Sequence, residues 1–468
     1  MNLDTVKLAR QELVVDRWFD SSCQGIVDAA TGFGKTFLTF LCIKRLEQIE
    51  RSTYVIVVPS NPLEQQWKEK LKSLPKNVTD RIILKTVFTI LADNLVYNVG
   101  TLIIDEIHEF TTDERQKVLD GSIIKSTRFL GLTASGDDKK FKIITKYYPV
   151  IDYISLEEAR VKGFVADTIE YNLGLDLTLR EKELYDNYTN VINKYMPRFQ
   201  NNINLANMVL TGGKQSNGVY YSGPGWAMGL AVKGGWKQNL NRERENERLI
   251  DDMWNPNNFI GYAKSLVNAV RQRKTLLCTT VSKYQTTLEL VTKFNKVKTI
   301  LFSESTDFAD KVAIILNKHK QPTVVYHSNL KTVQATSPIT GKFIKMGSVR
   351  LKREALNSIT TGKARILSTA KSLDRGLDIP DLRFSITTSG TQGTTQNTQR
   401  SGRAGRKEEG EAGQLPVLLV NLYMKDTQDQ IWLNRRQENL NIKPIDVDNV
   451  GDISYTPPSN FEFTFNDL

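Results

Sequence analysis

Residues Ala29-Ala30-Thr31-Gly32-Phe33-Gly34-Lys35-Thr36 have the types and spacing of a loop that wraps a chain of phosphates. Gly32 and Gly34 allow the backbone to curl until its N–H groups converge on phosphate oxygens, next to the positive end of a helix predicted over 37–46. Lys35 brings a charge to the β- and γ-phosphates, and the Thr36 hydroxyl is a ligand for Mg2+. Asp105-Glu106-Ile107-His108 closes the apolar run 101–104. A carboxylate there can hold Mg2+ opposite Thr36, while its neighbour orients and deprotonates a water. Asp105 is therefore assigned to the metal and Glu106 to the base. Acidic residues at strand ends are commonly mere solvated charges, and it is the upstream loop that lends this pair its meaning. His108, one of only 3 histidines, is assigned to coupling the nucleotide site to a second domain. Gln399-Arg400-Ser401-Gly402-Arg403-Ala404-Gly405-Arg406 spaces its arginines by three, which puts at least two on one helical face. Guanidiniums suit the charge that develops on a transferring phosphoryl group. In isolation the segment reads as the basic start of a surface helix.

These residues need a scaffold. Up to about Tyr153 the chain alternates apolar runs (25–29, 54–58, 81–84, 101–104 and 128–132) with helical patterns, as a parallel α/β sheet does. Each run ends in small or polar residues at the edge where open α/β sheets place ligands. A second series starts near Thr168, with strands expected at 275–279, 299–302, 323–326, 364–368, 384–387 and 415–421. A length of 468 residues is consistent with two or three domains.

Two stretches interrupt the second series. Residues 201–241 contain no Asp or Glu, are rich in Gly and carry Tyr220, Tyr221, Trp226 and Trp236, so a mobile insertion without a long helix is expected. Residues 331–353 are basic, without acidic residues, and the pattern SPITGKFIKM predicts a hairpin carrying Lys342 and Lys345. Residues 441–468 read as an extended tail. Cys23, Cys42 and Cys278 are odd in number and lack C-x-x-C spacing, which argues against disulfides and a structural zinc. A net charge of +11 favours a polyanionic partner. No apolar run approaches the length of a membrane span, and the start lacks a signal-peptide core; a cytoplasmic protein is expected.

In this order, residues 29–36, 105–108, Thr133-Ala134-Ser135 and 399–406 resemble motifs I, II, III and VI of superfamily two helicases. Val58-Pro59-Ser60 with Gln66-Trp67 resembles motif Ia, and Thr89 takes the place of motif Ib. Phe302-Ser303 resembles motif IV, with Tyr326-His327-Ser328 as its companion strand. Ser368-Thr369-Ala370 through Gly376-Leu377-Asp378-Ile379-Pro380 resembles motif V. Within the superfamily, Ile154-Ser155-Leu156-Glu157-Glu158-Ala159 and the following Gly163-Phe164-Val165-Ala166 are similar to the linker of phage UvsW, XPB and Snf/Swi-like DNA motors. DEAD-box RNA helicases carry Asp where this chain has His108.

The resemblance implies two tandem RecA-like domains, 1–158 and 159–440, with an ATP cleft between them and the small insertions in the second. It implies ATP and Mg2+ as cofactors. Catalytic roles fall to Lys35, Asp105, Glu106, Gln399, Arg403 and Arg406, the last two as arginine fingers. Gln11, Gly376 and Asp378 join the loop in holding nucleotide. Thr133 and Ser135 couple hydrolysis to domain movement. Ser60, Gln66, Trp67, Thr89, Ser303, Ser328 and Thr369 would contact nucleic acid. The implied function is a DNA helicase that unwinds or branch-migrates DNA, similar to phage branch-migration enzymes in replication, recombination or repair, acting as a monomer in the cytoplasm (the host's if phage-encoded) on branched, forked or single-stranded DNA. A duplex translocase that separates no strands, an RNA helicase and a silent nucleic-acid-binding scaffold remain alternatives. Trp226, Trp236 and Tyr220 either stack on bases or pack their insertion onto its own domain. The 331–353 segment either wedges a junction, touches phosphates or is a solvated basic face.

Overall fold

Tyr54–Val58 is buried at all five positions, which only a strand covered on both faces can be. It is β2 of a six-stranded sheet that also holds β1 (Gln24–Ala29), β3 (Ile82–Thr86), β4 (Tyr97–Ile104), β5 (Ile124–Thr133) and β6 (Val150–Ile154), in the order β3-β2-β4-β5-β1-β6. All pairings in it are parallel. Side chains alternate between faces as the strand period requires. Tyr54, Ile56 and Val58 pack with α1 (Leu3–Asp20), α2 (Lys35–Ile49) and α3 (Asn61–Leu71), while Val55 and Val57 join Val87, Ile90 and Phe110 on the other side. The computed structural model describes residues 3–93, 95–134, 138–214, 220–221, 256–336, 343–370, 379, 382–390, 416–438 and 443–456.

Downstream run β7 (Thr168–Leu175), β8 (Gly213–Lys214), β9 (Tyr220–Tyr221), β10 (Lys298–Ser303), β11 (Thr323–Tyr326), β12 (Val333–Thr336), β13 (Phe343–Met346), β14 (Ile366–Ala370), β15 (Leu382–Thr387), β16 (Val417–Met424) and β17 (Ile445–Val447). Seven of them form a second sheet, β11-β14-β10-β15-β16-β7-β17, in which β10 lies between β14 and β15 in parallel register. The buried Arg365 guanidinium donates to the carbonyls of Val291, Phe294 and Val297, where the helix Val281–Lys293 ends. Burial without a carboxylate partner among these contacts pushes it down to about 10.

By packing, the described chain divides into two compact units: Met1–Gly174 with Thr286–Leu468, and Leu175–Gln285. The second is helical. Thr178 and Glu181 cap the helix Leu179–Tyr195 reciprocally, satisfying N–H groups that would otherwise lack partners. Its core joins Ile192, Phe199, Ala206, Val209, Phe259 and Leu266.

Several expectations need correction. Residues 275–279 are not a strand: Pro256–Cys278 is one helix, and Leu277 continues the apolar period of Phe259, Ala263, Leu266 and Ala269. So short an apolar run, Leu276-Leu277-Cys278, cannot by itself distinguish the two. The stretch 201–241 opens with a helix, Ile203–Thr211, because its glycines begin only at Gly212; Trp226 and Trp236 lie outside the described residues. In 331–353, β12 pairs antiparallel with β13, but Ser348–Thr360 is already helix; Lys345 is exposed on β13 and Lys342 lies outside the described residues. The tail contributes β17, which pairs with β7 from Tyr171 to Leu173. β6 had no counterpart among the expected strands.

Candidate nucleotide-binding site

The C-terminal ends of β1, β4 and β5 meet at one edge of the first sheet. Asp28 on β1 lies in register with Thr133 on β5, and Ile104 on β4 with Gly131. The loop after β1 turns on Gly32 and Gly34, at φ 92° and 93°. Those left-handed values favour glycine, and a Cβ on Gly34 would also sit 2.8 Å from Gln11 Nε2. Gly34 caps α2 without a side-chain bond, and no acidic residue occupies the first turn. The N–H groups of that turn and the helix dipole are thus left for an anion.

Helix α1 holds the loop from behind. Gln11 Nε2 donates to the Phe33 carbonyl (2.8 Å), and Lys7 Nζ donates to the Gly32 carbonyl (2.9 Å). The helix is anchored in turn on β6, where Asp152 accepts from Arg10 (2.6 and 2.8 Å) and Arg17 (2.8 Å). One N–H of Gln11 serves the loop, which leaves its second N–H and its amide oxygen for any contact with a nucleotide. Lys35 Nζ donates to the Ala29 carbonyl at 3.4 Å, a loose contact that a phosphate can replace.

Asp105 is buried. Its Oδ2 accepts from Trp67 Nε1 (2.9 Å) and its Oδ1 from the Glu106 N–H (3.0 Å). Burial pushes its carboxyl up, the Glu106 charge adds to this, and Lys35 opposes it. Glu106 sits at φ 51°, ψ 49°, a left-handed conformation that costs a non-glycine residue about 1–3 kcal/mol. His108 is wholly buried; its Nδ1 lies 2.9 Å from Thr133 Oγ1 and 3.4 Å from Glu106 Oε2, and its Nε2 lies 3.4 Å from Glu109 Oε1. The imidazole therefore links the acidic pair to the end of β5. The Thr36 hydroxyl and Asp105 carboxylate are hard oxygen donors of the kind Mg2+ takes alongside phosphates and waters. An open cavity of about 810 Å³ runs from Gly34 and Thr36 past Phe37 and Phe40 to Leu74, leaving this side of the loop accessible.

Asp28 escaped the sequence reading, although an acid inside a buried strand needs a reason. Burial raises its carboxyl to about 6, with Glu106 adding and Lys35 opposing. The stability tied to the protonated form is complete below the ordinary carboxylate range and is lost as pH rises through about 6. Asp28→Asn should therefore raise the melting temperature at pH 8, by up to about 3 kcal/mol of stability, and change little at pH 4. Thermal denaturation of both proteins across that range checks this; an equal shift at both pH values would show that Asp28 is not buried as an anion.

The residues expected to contact nucleic acid fare differently. Trp67 is 1% exposed, beneath the sheet edge and bonded to Asp105, so its assignment as a nucleic-acid contact is corrected: no strand can reach its ring. Gln66 is half-buried and Thr89 exposed, in a helix capped by Thr86. Ser60 Oγ and Thr369 Oγ1 are buried hydroxyls without a hydrogen bond. Ser303 is buried at the end of β10, where its hydroxyl lies 3.3 Å from that of Ser389, a residue no motif had drawn attention to. Ser328 is exposed. Ser135, Gly376, Asp378, Gln399, Arg403 and Arg406 lie outside the described residues.

Comparison with known families matches residues 282–408 to the helicase conserved C-terminal domain and residues 7–90 to the type III restriction enzyme res subunit. No curated protein matches. Among solved structures, the Hef helicase domain of Pyrococcus furiosus is similar at 15% identity and TM-score 0.50, covering 91% of this chain and 97% of that one. S. cerevisiae Dbp5 bound to RNA and ADP BeF3 is similar at 13% identity and TM-score 0.54, covering 94% and 89%. At such identities these structures speak for the fold, that of tandem RecA-like domains. It is the two domain matches that suggest a nucleic-acid helicase or translocase driven by ATP.

Proposed function

We propose that this chain is an ATP-driven motor that unwinds or branch-migrates forked and junction DNA, in the manner of UvsW-like phage helicases acting in replication, recombination or repair. The observation that carries the ATPase part is the convergence of the glycine loop, Asp105, Glu106 and His108 at one sheet edge. The net charge of +11 favours a polyanionic partner, and the linker resembling DNA motors favours DNA over RNA.

ATP and Mg2+ fit the donor set of Thr36, Asp105 and the loop. With them bound, Lys35 would leave the Ala29 carbonyl and neutralise the β- and γ-phosphates, while Asp105 and Thr36 would hold the metal, which would supply charge stabilisation at the phosphates. Glu106 accepts a proton from the attacking water, whose oxygen bonds to the γ-phosphorus as ADP leaves. Arg403 and Arg406, from a domain spanning 159–440, would meet the charge developing on the transferred group as the cleft closes. His108 would pass the state of Glu106 to Thr133. Backbone grip, for which Thr89 and Ser328 are the exposed candidates, needs no base recognition, so little sequence preference is expected.

A panel of fork, Holliday junction, single strand and RNA duplex, scored for ATP-dependent strand displacement, tests the proposal. Unwinding of the fork and junction is the expected result. ATPase stimulated by intact duplex without strand displacement would mean a plain translocase, and activity confined to the RNA duplex an RNA helicase.

A further inference from the structure

We infer that Trp67 is a positioning residue for Mg2+, acting through the Asp105 carboxylate; the inference rests on the metal-binding role proposed above for Asp105. Indole is a donor only, with a single N–H. Here that N–H is spent on Asp105 Oδ2 at 2.9 Å, while the other oxygen takes the Glu106 N–H at 3.0 Å. The two donors fix the rotation of the carboxylate plane and leave the remaining lone pairs for a metal. Ligands of catalytic metals are commonly held by such outer partners, whose loss costs about 10- to 100-fold in metal affinity or activity.

A packing role alone does not account for the contact. The ring meets Phe40 edge-on, with centroids 6.1 Å apart, an aromatic contact that a phenylalanine at 67 could also make. Tryptophan adds a donor that phenylalanine lacks, and it points to the buried carboxylate assigned to the metal. Helix α3 also reaches the second metal ligand. Lys70, one turn beyond Trp67, places Nζ 3.5 Å from Thr36 Oγ1. Residues three apart share a helical face, so a single face of α3 addresses both Asp105 and Thr36. That helix starts immediately after Ser60, whose hydroxyl is without a hydrogen bond.

The test is the Mg2+ dependence of ATP hydrolysis in full-length protein. Trp67→Phe keeps an aromatic ring against Phe40 and deletes the N–H. Half-saturating Mg2+ should rise by about 10-fold or more, with the rate at saturating Mg2+ within about threefold of the parent. Phe40→Leu disturbs the same packing without touching the donor, and its half-saturating Mg2+ should be unchanged. Parent-like Mg2+ dependence in Trp67→Phe, or an equal shift in Phe40→Leu, overturns the inference. Should Trp67→Phe not fold, the indole N–H resonances of the parent and of Asp105→Ala can be compared. One must move when the carboxylate is removed, and none moving overturns the inference as well. Asp105→Ala separates the two levels: if it still hydrolyses ATP with parental Mg2+ dependence, the metal assignment falls and this inference with it. If it is inactive while Trp67→Phe behaves as the parent, only the inference falls.

Discussion

Lys35→Ala is expected to abolish nucleic-acid-stimulated ATP hydrolysis, lowering kcat by about a thousandfold or more, while DNA binding stays within about twofold of the parent. The size of the effect follows from where the ammonium lies. It opens α2, whose first turn carries no acid and whose cap residue Gly34 offers no side chain, so anion binding there depends on N–H groups, the helix dipole and this one full charge. Among the described residues Nζ hydrogen-bonds only the Ala29 carbonyl, loosely at 3.4 Å, but its charge also opposes those of Asp28 and Asp105, so alanine leaves these carboxylates without that counter-charge. Circular dichroism should be close to the parent, with a melting temperature lowered more at pH 8 than at pH 4, where the buried acids are protonated, which separates loss of chemistry from loss of fold. Normal hydrolysis by this variant would show that the phosphates are held elsewhere.

Glu106→Gln is expected to lower kcat by about 10²- to 10⁴-fold with the KM for ATP changed only a few fold, because glutamine can still orient a water but cannot take its proton. The same substitution should raise the stability of the nucleotide-free protein. The Glu106 charge helps push up both Asp28 and Asp105, so three carboxylates crowd an edge opposed by Lys35. Neutralising one relieves that repulsion at pH 8 and has less to relieve at pH 4, where the buried acids are protonated. The backbone at Glu106 keeps its left-handed turn in either case, since the substitution leaves the Cβ in place. Single-turnover hydrolysis and thermal melts on the same preparation check both halves. A kcat near that of the parent would move the general base to another residue.

Stability gained with activity lost at one position is what a site held against its own electrostatics should show. It also explains the setting of His108. Held by contacts to Thr133, Glu106 and Glu109, the imidazole is a neighbour that can stabilise the crowded acids through whichever ring nitrogen carries a proton.

Most of the catalytic edge could be read from residue order, because the phosphate loop and the acidic pair act through neighbours only a few positions apart. Gly32, Gly34, Lys35 and Thr36 need no distant partner to identify them, and the uniformly apolar runs before them mark covered parallel strands. Short apolar runs without such context misled: 275–279 continues a helix whose period becomes clear only over the full 23 residues of Pro256–Cys278. Trp67 misled differently. The resemblance of Gln66-Trp67 to motif Ia implied a nucleic-acid contact, and nothing local tells which way that face of α3 turns.

Residue order alone thus determined what chemistry this chain is built for: a glycine loop, a hydroxyl, a lysine and two adjacent carboxylates have few other uses in that arrangement. Tertiary structure alone decided what holds those groups in place. Asp105 and Trp67 are 38 positions apart, and they meet because β2 and β4 are sheet neighbours, with the Asp105 N–H on the Val57 carbonyl and α3 following β2 over the same edge. Asp28 reaches Thr133 and Arg10 reaches Asp152 by the same kind of adjacency, across 105 and 142 positions (133 − 28 and 152 − 10). Strand order is settled by which apolar faces bury one another, a sum over many weak contacts. No single residue records it.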